Sequence, residues 1–105
     1  MTVPADDNRD LLTVVATITA KPGNEQQVKD LLNSFIEPSR ADRGNVAYTL
    51  HQGADDPATF VFYEVWESKE LLGEHLASPV LQEGLAALGP LVAGPPVIVP
   101  LNRIA

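Results

Sequence analysis

Cysteine is absent from all 105 residues. That excludes a disulfide framework and thiolate ligation of a metal. Histidine occurs twice, and no His-x-x-x-His pair or acidic cluster has ligand spacing, so no metal is expected. No glycine-rich phosphate loop is present, so no nucleotide or flavin cofactor is expected either. Cations are few: 7 Lys and Arg against 14 Asp and Glu leave a formal charge of −7. Such a chain repels phosphate backbones and anionic lipid, which argues against nucleic acid and membrane partners. No apolar run nears the ~20 residues of a membrane span, and residues 1–10 lack the basic start of a secretory leader. No internal repeat or low-complexity segment interrupts the chain. The expectation is a soluble cytoplasmic protein: a flexible N-terminal arm over residues 1–10 and one domain over 11–105.

Aromatic residues are also scarce, with one Trp, two Tyr and three Phe, so their placement is informative. Residues 60–67 alternate as a strand, with Phe60, Phe62, Glu64 and Trp66 on one face and Val61, Tyr63, Val65 and Glu67 on the other. Half the aromatic residues thus share a face with one carboxylate. Ser68 follows at an N-cap position and opens a short helix. In that helix Leu71, Leu72, His75 and Leu76 form the apolar stripe, which puts an imidazole where packing alone gives no reason for one.

The remaining elements are read from period and punctuation. Residues 11–20 make a strand with Leu12, Val14, Ala16, Ile18 and Ala20 as an unbroken apolar face. After the Lys21–Gly23 turn, Asn24 and Gln27 form a capping-box pattern ahead of Val28, Leu31, Leu32 and Phe35, spaced as a helix. Pro38 predicts a kink or stop in that helix, and Gly44 its end. Residues 45–52 alternate as a second strand, Val46, Tyr48 and Leu50 opposite Ala47, Thr49 and His51; the turn at 53–57 makes a hairpin with residues 60–67. Ser78–Pro79 opens a last helix whose buried side is Val80, Leu81, Leu85 and Leu88. Residues 96–101 form a strand flanked by Pro96 and Pro100. Both prolines remove an N–H from the same side, so this is an edge strand or one that crosses to a neighbouring subunit.

The order β-α-β-β-α-α-β is the ferredoxin-like split βαβ arrangement, an α+β fold. Helices cover one face of a four-stranded antiparallel sheet. The other face carries apolar and threonine side chains with nothing in the chain to cover it, so a homodimer is expected.

Imidazole is the side chain that titrates near neutrality, so His75 is the candidate proton acceptor; its structural alternative is a helix-end histidine bonded to a backbone carbonyl. Trp66 can wall an aromatic pocket or simply fill the core. Tyr48 and Tyr63 can orient a substrate oxygen, although pattern alone does not say which strand faces are internal. Glu64, between Phe62 and Trp66, is a base if desolvated, or an ion-pair partner of Arg40 or Arg43 across the dimer. His51 lies on the more polar face of its strand, at the surface or at a dimer contact. The expected substrate-binding set is therefore Trp66, Tyr48, Tyr63, Glu64 and Phe62, with His75 as the catalytic residue.

The turn at 20–23 leading into the first helix, Arg43 and Gly44 followed by Tyr48 and His51, the run 63–68, and then His75 and Ser78–Pro79 together resemble the antibiotic biosynthesis monooxygenase domain over about residues 11–101. The resemblance implies a dimeric α+β barrel with a pocket between helices and sheet in each subunit. It is strongest to the branch that oxygenates quinols or aromatic polyketides with molecular oxygen and without metal or flavin. There the electron-rich substrate supplies the electrons, and the protein holds it, excludes water and accepts a proton. Family members that cleave haem use an asparagine, a tryptophan and a histidine at positions that fall here on about Ala16, His75 and Leu85. That triad is absent, so haem cleavage is not implied. A branch acting on phosphorylated sugar-like signals needs cations this chain lacks near the pocket. The reading that results is a cofactor-independent monooxygenase of a small aromatic or quinol-like substrate. The alternatives are a non-catalytic ligand-binding dimer and an isomerase of a small carbonyl compound.

Overall fold

Extended and helical segments alternate along a computed structural model that describes residues 11–105. The expected arm, residues 1–10, lies outside the described residues. The elements are β1 (Leu12–Thr19), α1 (Glu25–Asn33), α2 (Ile36–Ala41), β2 (Asn45–Gln52), β3 (Thr59–Trp66), α3 (Lys69–Ala77), α4 (Pro79–Leu88), a 3₁₀ turn (Gly89–Leu91) and β4 (Val97–Asn102). The four strands form one antiparallel sheet in the order β2-β3-β1-β4, the split βαβ topology. The α+β ferredoxin-like expectation holds.

Alternation along the strands places the core. Val14, Ala16, Ile18 and Ala20 from β1 and its exit are buried with Phe60, Phe62, Glu64 and Trp66 from β3. Against them pack Val28 and Leu32 of α1, Phe35, Leu72 of α3, and Leu81 and Leu88 of α4. The opposite sheet face carries Thr13, Val15 and Thr17 of β1, in register with Val65, Tyr63 and Val61 on one side and with Leu101, Val99 and Val97 on the other. Of these, Tyr63, Val97, Val99 and Leu101 are exposed.

Four local expectations change. The first helix is two: α1 stops at Asn33 and the chain restarts at Ile36. In a continuous helix the Pro38 ring would collide with the Ser34 carbonyl; in α2 it occupies the third position, where no N–H partner is required. Asn24 makes no side-chain cap; instead the Glu25 carboxylate accepts from the Gly23 N–H at 3.0 Å. Val46 is the extra residue of a β-bulge, since Asn45 pairs with Trp66 and Ala47 with Val65. It therefore leaves the face it was expected to share with Tyr48. Val80 is exposed rather than on the buried side of α4. Ser68 and Ser78 do cap, each accepting at 3.2 Å from the N–H three residues on. β4 is an edge strand, paired only with β1.

Candidate functional site

α3 starts where β3 ends, so its one imidazole lands above the aromatic face of the strand that precedes it. His75 is 3% exposed. Its ring lies 4.5 Å from the Trp66 ring, tilted by 34°, and 5.7 Å from the Tyr48 ring, edge-on. Nδ1 sits 2.8 Å from Oδ2 of Asp42, the residue that caps the end of α2. A carboxylate at that distance accepts the Nδ1 proton, and in the neutral ring the lone pair then lies on Nε2. Nε2 points toward Oε1 of Glu64, 4.0 Å away. That same oxygen accepts the Trp66 indole N–H at 2.9 Å.

Contacts of Gly44, Arg40 and Arg43 hold the Asp42 loop against this group. Gly44 has φ +84°, and a β-carbon there would lie 2.7 Å from Cβ of Leu71, so only glycine lets the loop close on α3. Its carbonyl accepts from the Glu67 N–H at 2.8 Å. Arg40 donates from Nε to the Tyr48 carbonyl at 3.1 Å, tying α2 to β2, and Arg43 pairs with Glu74 at 2.8 Å on the surface. Within the chain, neither guanidinium reaches Glu64.

Burial shifts the two other titratable groups upward. It pushes the Glu64 carboxyl above its ordinary value of 4.5, against the opposing pull of the Trp66 N–H and of His75. It also pushes the Tyr48 phenol well above its ordinary range; the Ser39 hydroxyl works against this, and the Glu64 and Asp42 charges add to it. Tyr48 thus keeps its phenolic proton at any physiological pH.

His75 and Glu64 line a slot of about 40 Å³ whose other walls include Phe62, Tyr48, Phe35, Leu76 and Leu81. Of the sequence-predicted residues, His75, Glu64, Phe62 and Tyr48 line this slot directly. Trp66 backs His75 from the core. Tyr63 does not join them: it is 43% exposed on the opposite sheet face, with Thr49 donating toward its carbonyl at 3.5 Å. His51 is exposed. Asp42, its side chain 33% exposed, is the site residue the sequence did not reveal. Its one sequence signal is its position immediately before the Arg43–Gly44 turn. Among the described residues no group of three or more His, Asp or Glu side chains is placed to hold a metal ion.

The profile of the antibiotic biosynthesis monooxygenase family matches residues 11–87. The chain belongs to that family. Two relatives share 30% identity with it. One is the uncharacterised protein sll1783 of Synechocystis, over 82% of this chain; the chain spans only 58% of that relative's length. The other is Rv0793 of Mycobacterium tuberculosis, named as a candidate monooxygenase, over 88% of this chain and 93% of the relative. Among solved structures, PA3566 of Pseudomonas aeruginosa superposes with a TM-score of 0.85 at 32% identity, covering 90% of this chain and 95% of that one. The crystal structure of Rv0793 superposes at 0.84 with 28% identity, covering 90% and 96%. In this monooxygenase family member, then, the slot lies between the helices and the sheet, and the Asp42–His75–Glu64 line crosses its end.

Proposed function

We propose that the protein is a cofactor-independent monooxygenase that oxidises a small aromatic, quinol-like substrate with molecular oxygen. The observation that carries this reading is an imidazole fixed by Asp42 at one nitrogen, with the other turned toward Glu64 at the wall of an apolar, aromatic-lined slot. His75 Nε2 takes the proton of a substrate hydroxyl, and the Asp42 carboxylate stabilises the imidazolium that forms. The hydroxyl of Tyr48 donates to substrate oxygen beside Glu64, while Phe62 and Trp66 hold ring and imidazole in place.

The stoichiometry balances without a cofactor. A hydroquinone with a free carbon beside a hydroxyl takes one oxygen atom of dioxygen at that carbon as a hydroxyl group. The other oxygen atom leaves as water with the two hydrogens lost from the hydroquinone hydroxyls, and the ring becomes a hydroxyquinone. All four electrons that reduce dioxygen come from the ring. The family membership and the monooxygenase name carried by Rv0793 support the reaction class. The uncovered apolar sheet face supports a homodimer, and the lack of cysteine suits a cytoplasmic setting.

Oxygen uptake with a panel of quinols, wild type against His75→Ala, is the test. We expect wild-type turnover and a loss of about 10²-fold or more in the variant, the usual scale for a proton acceptor. Equal turnover in both proteins would remove His75 from the mechanism. Thermal stabilisation by quinols without oxygen consumption would instead identify a non-catalytic binder.

A further inference from the structure

The slot beside His75 is too small for the substrate class just proposed. Its 40 Å³ has room for about three water molecules, whereas small-molecule sites hold roughly 300–1,000 Å³. A hydroxyl and the edge of a ring enter it; the rest of any ligand must lie elsewhere. One neighbouring space has the right size. A groove of about 490 Å³ runs between the end of α4 and the start of β4, and Leu85, Leu88, Pro96 and Ile98 line both it and the slot. Its remaining walls are Val92, Pro95, Gly89 and Gly94, so no side chain on it donates or accepts a hydrogen bond. The other cavities do not compete. A pocket of about 60 Å³ on the Asp42 side is as small as the slot. Those beside Tyr63 and beside His51 share no residue with the slot.

We propose that the ligand is an amphiphile: a hydroxylated ring whose hydroxyl end reaches His75 and Glu64, carrying an apolar tail of several carbons that lies in the groove along Leu85, Pro96 and Ile98. The slot accepts the polar end because its polar groups converge there. The groove selects an unbranched or prenyl-like hydrocarbon because it offers only apolar contact and backbone. A short polar substituent gains nothing in it. The head-group chemistry rests on the monooxygenase reading; the tail site rests on the groove alone.

The experiment is equilibrium binding of 2-alkyl-1,4-hydroquinones, methyl to octyl, by calorimetry under anaerobic conditions. Each added methylene buried in the groove should lower Kd about three- to fourfold, from ~0.8 kcal/mol per CH₂, over the first several carbons before levelling off. Gly94→Asp and Pro95→Asn, at exposed residues that line the groove and not the slot, should flatten this dependence and leave the methyl probe's Kd nearly unchanged. Val97→Asn, on the far face of β4, should retain it. A Kd independent of chain length, or a dependence that survives both groove variants, overturns the proposal. So does an octyl probe that splits a dimer in sedimentation velocity, since the groove would then belong to a second copy of the chain. Failure of the monooxygenase reading shows separately, as no oxygen uptake in air alongside a persistent chain-length dependence.

Discussion

A histidine on an apolar helix stripe was the clearest legible sign of a site, because packing gives no reason to bury a titratable ring there. What orients it was not legible. Asp42 lies 33 residues away and becomes its partner only when α2 ends and the Gly44 turn folds that loop onto α3. Asp42→Asn should therefore lower kcat by about 10-fold or more while leaving KM for a quinol within about twofold, because it changes which imidazole nitrogen carries the proton rather than the shape of the slot. Nitrogen-15 shifts of His75 check the tautomer directly, independently of turnover. Glu64 permits a prediction of sign. A carboxyl raised in the folded state binds its proton more tightly there than in the unfolded chain. Its contribution is thus fully present below the unfolded value of 4.5 and is lost as pH climbs through the higher folded value. Glu64→Gln keeps an oxygen for the Trp66 N–H and removes that loss. Urea unfolding from pH 4 to pH 8 should show the variant gaining on wild type as pH rises; parallel curves would mean that Glu64 does not titrate there.

At the level of elements, the serine caps were readable because Ser68 and Ser78 each enter a helix from extended backbone, where a side-chain oxygen reaches the third N–H. The same pattern at Asn24 failed because its backbone is not extended and Glu25 takes the neighbouring donor. The break at Ser34 was half-readable: Pro38 announced it, but the clash falls four residues upstream. Strand faces depended on pairing. Period two groups Tyr63 with Val61 and Val65, and only the register with β1 shows that this set faces away from the helices. Gly44 is where two elements meet most tightly. Gly44→Ala should cost at least about 1 kcal/mol from the left-handed backbone alone, and more from the contact with Leu71. Because that contact seats the Asp42 loop, oxygen uptake should fall along with the denaturation midpoint. A variant as stable and as active as wild type would show that the loop is not seated by this contact.

For the whole molecule, the sheet's far face is the largest unexplained surface, with Val97, Val99, Leu101 and Tyr63 exposed on it. If two copies stack there, Leu101→Lys should convert a dimer to a monomer in sedimentation equilibrium with little change in the chain's own helical circular dichroism. A wild-type protein that sediments as a monomer at micromolar concentration would remove the stacking model. How such copies meet is limited by the sheet's borders. One border strand carries the Val46 bulge and the other has Pro100 within it, so neither rim offers an unbroken row of donors and acceptors for side-by-side addition. Addition of a further strand is disfavoured at both rims, so two copies stacked face to face would form a closed pair. Such a pair would have no rim from which a filament could lengthen.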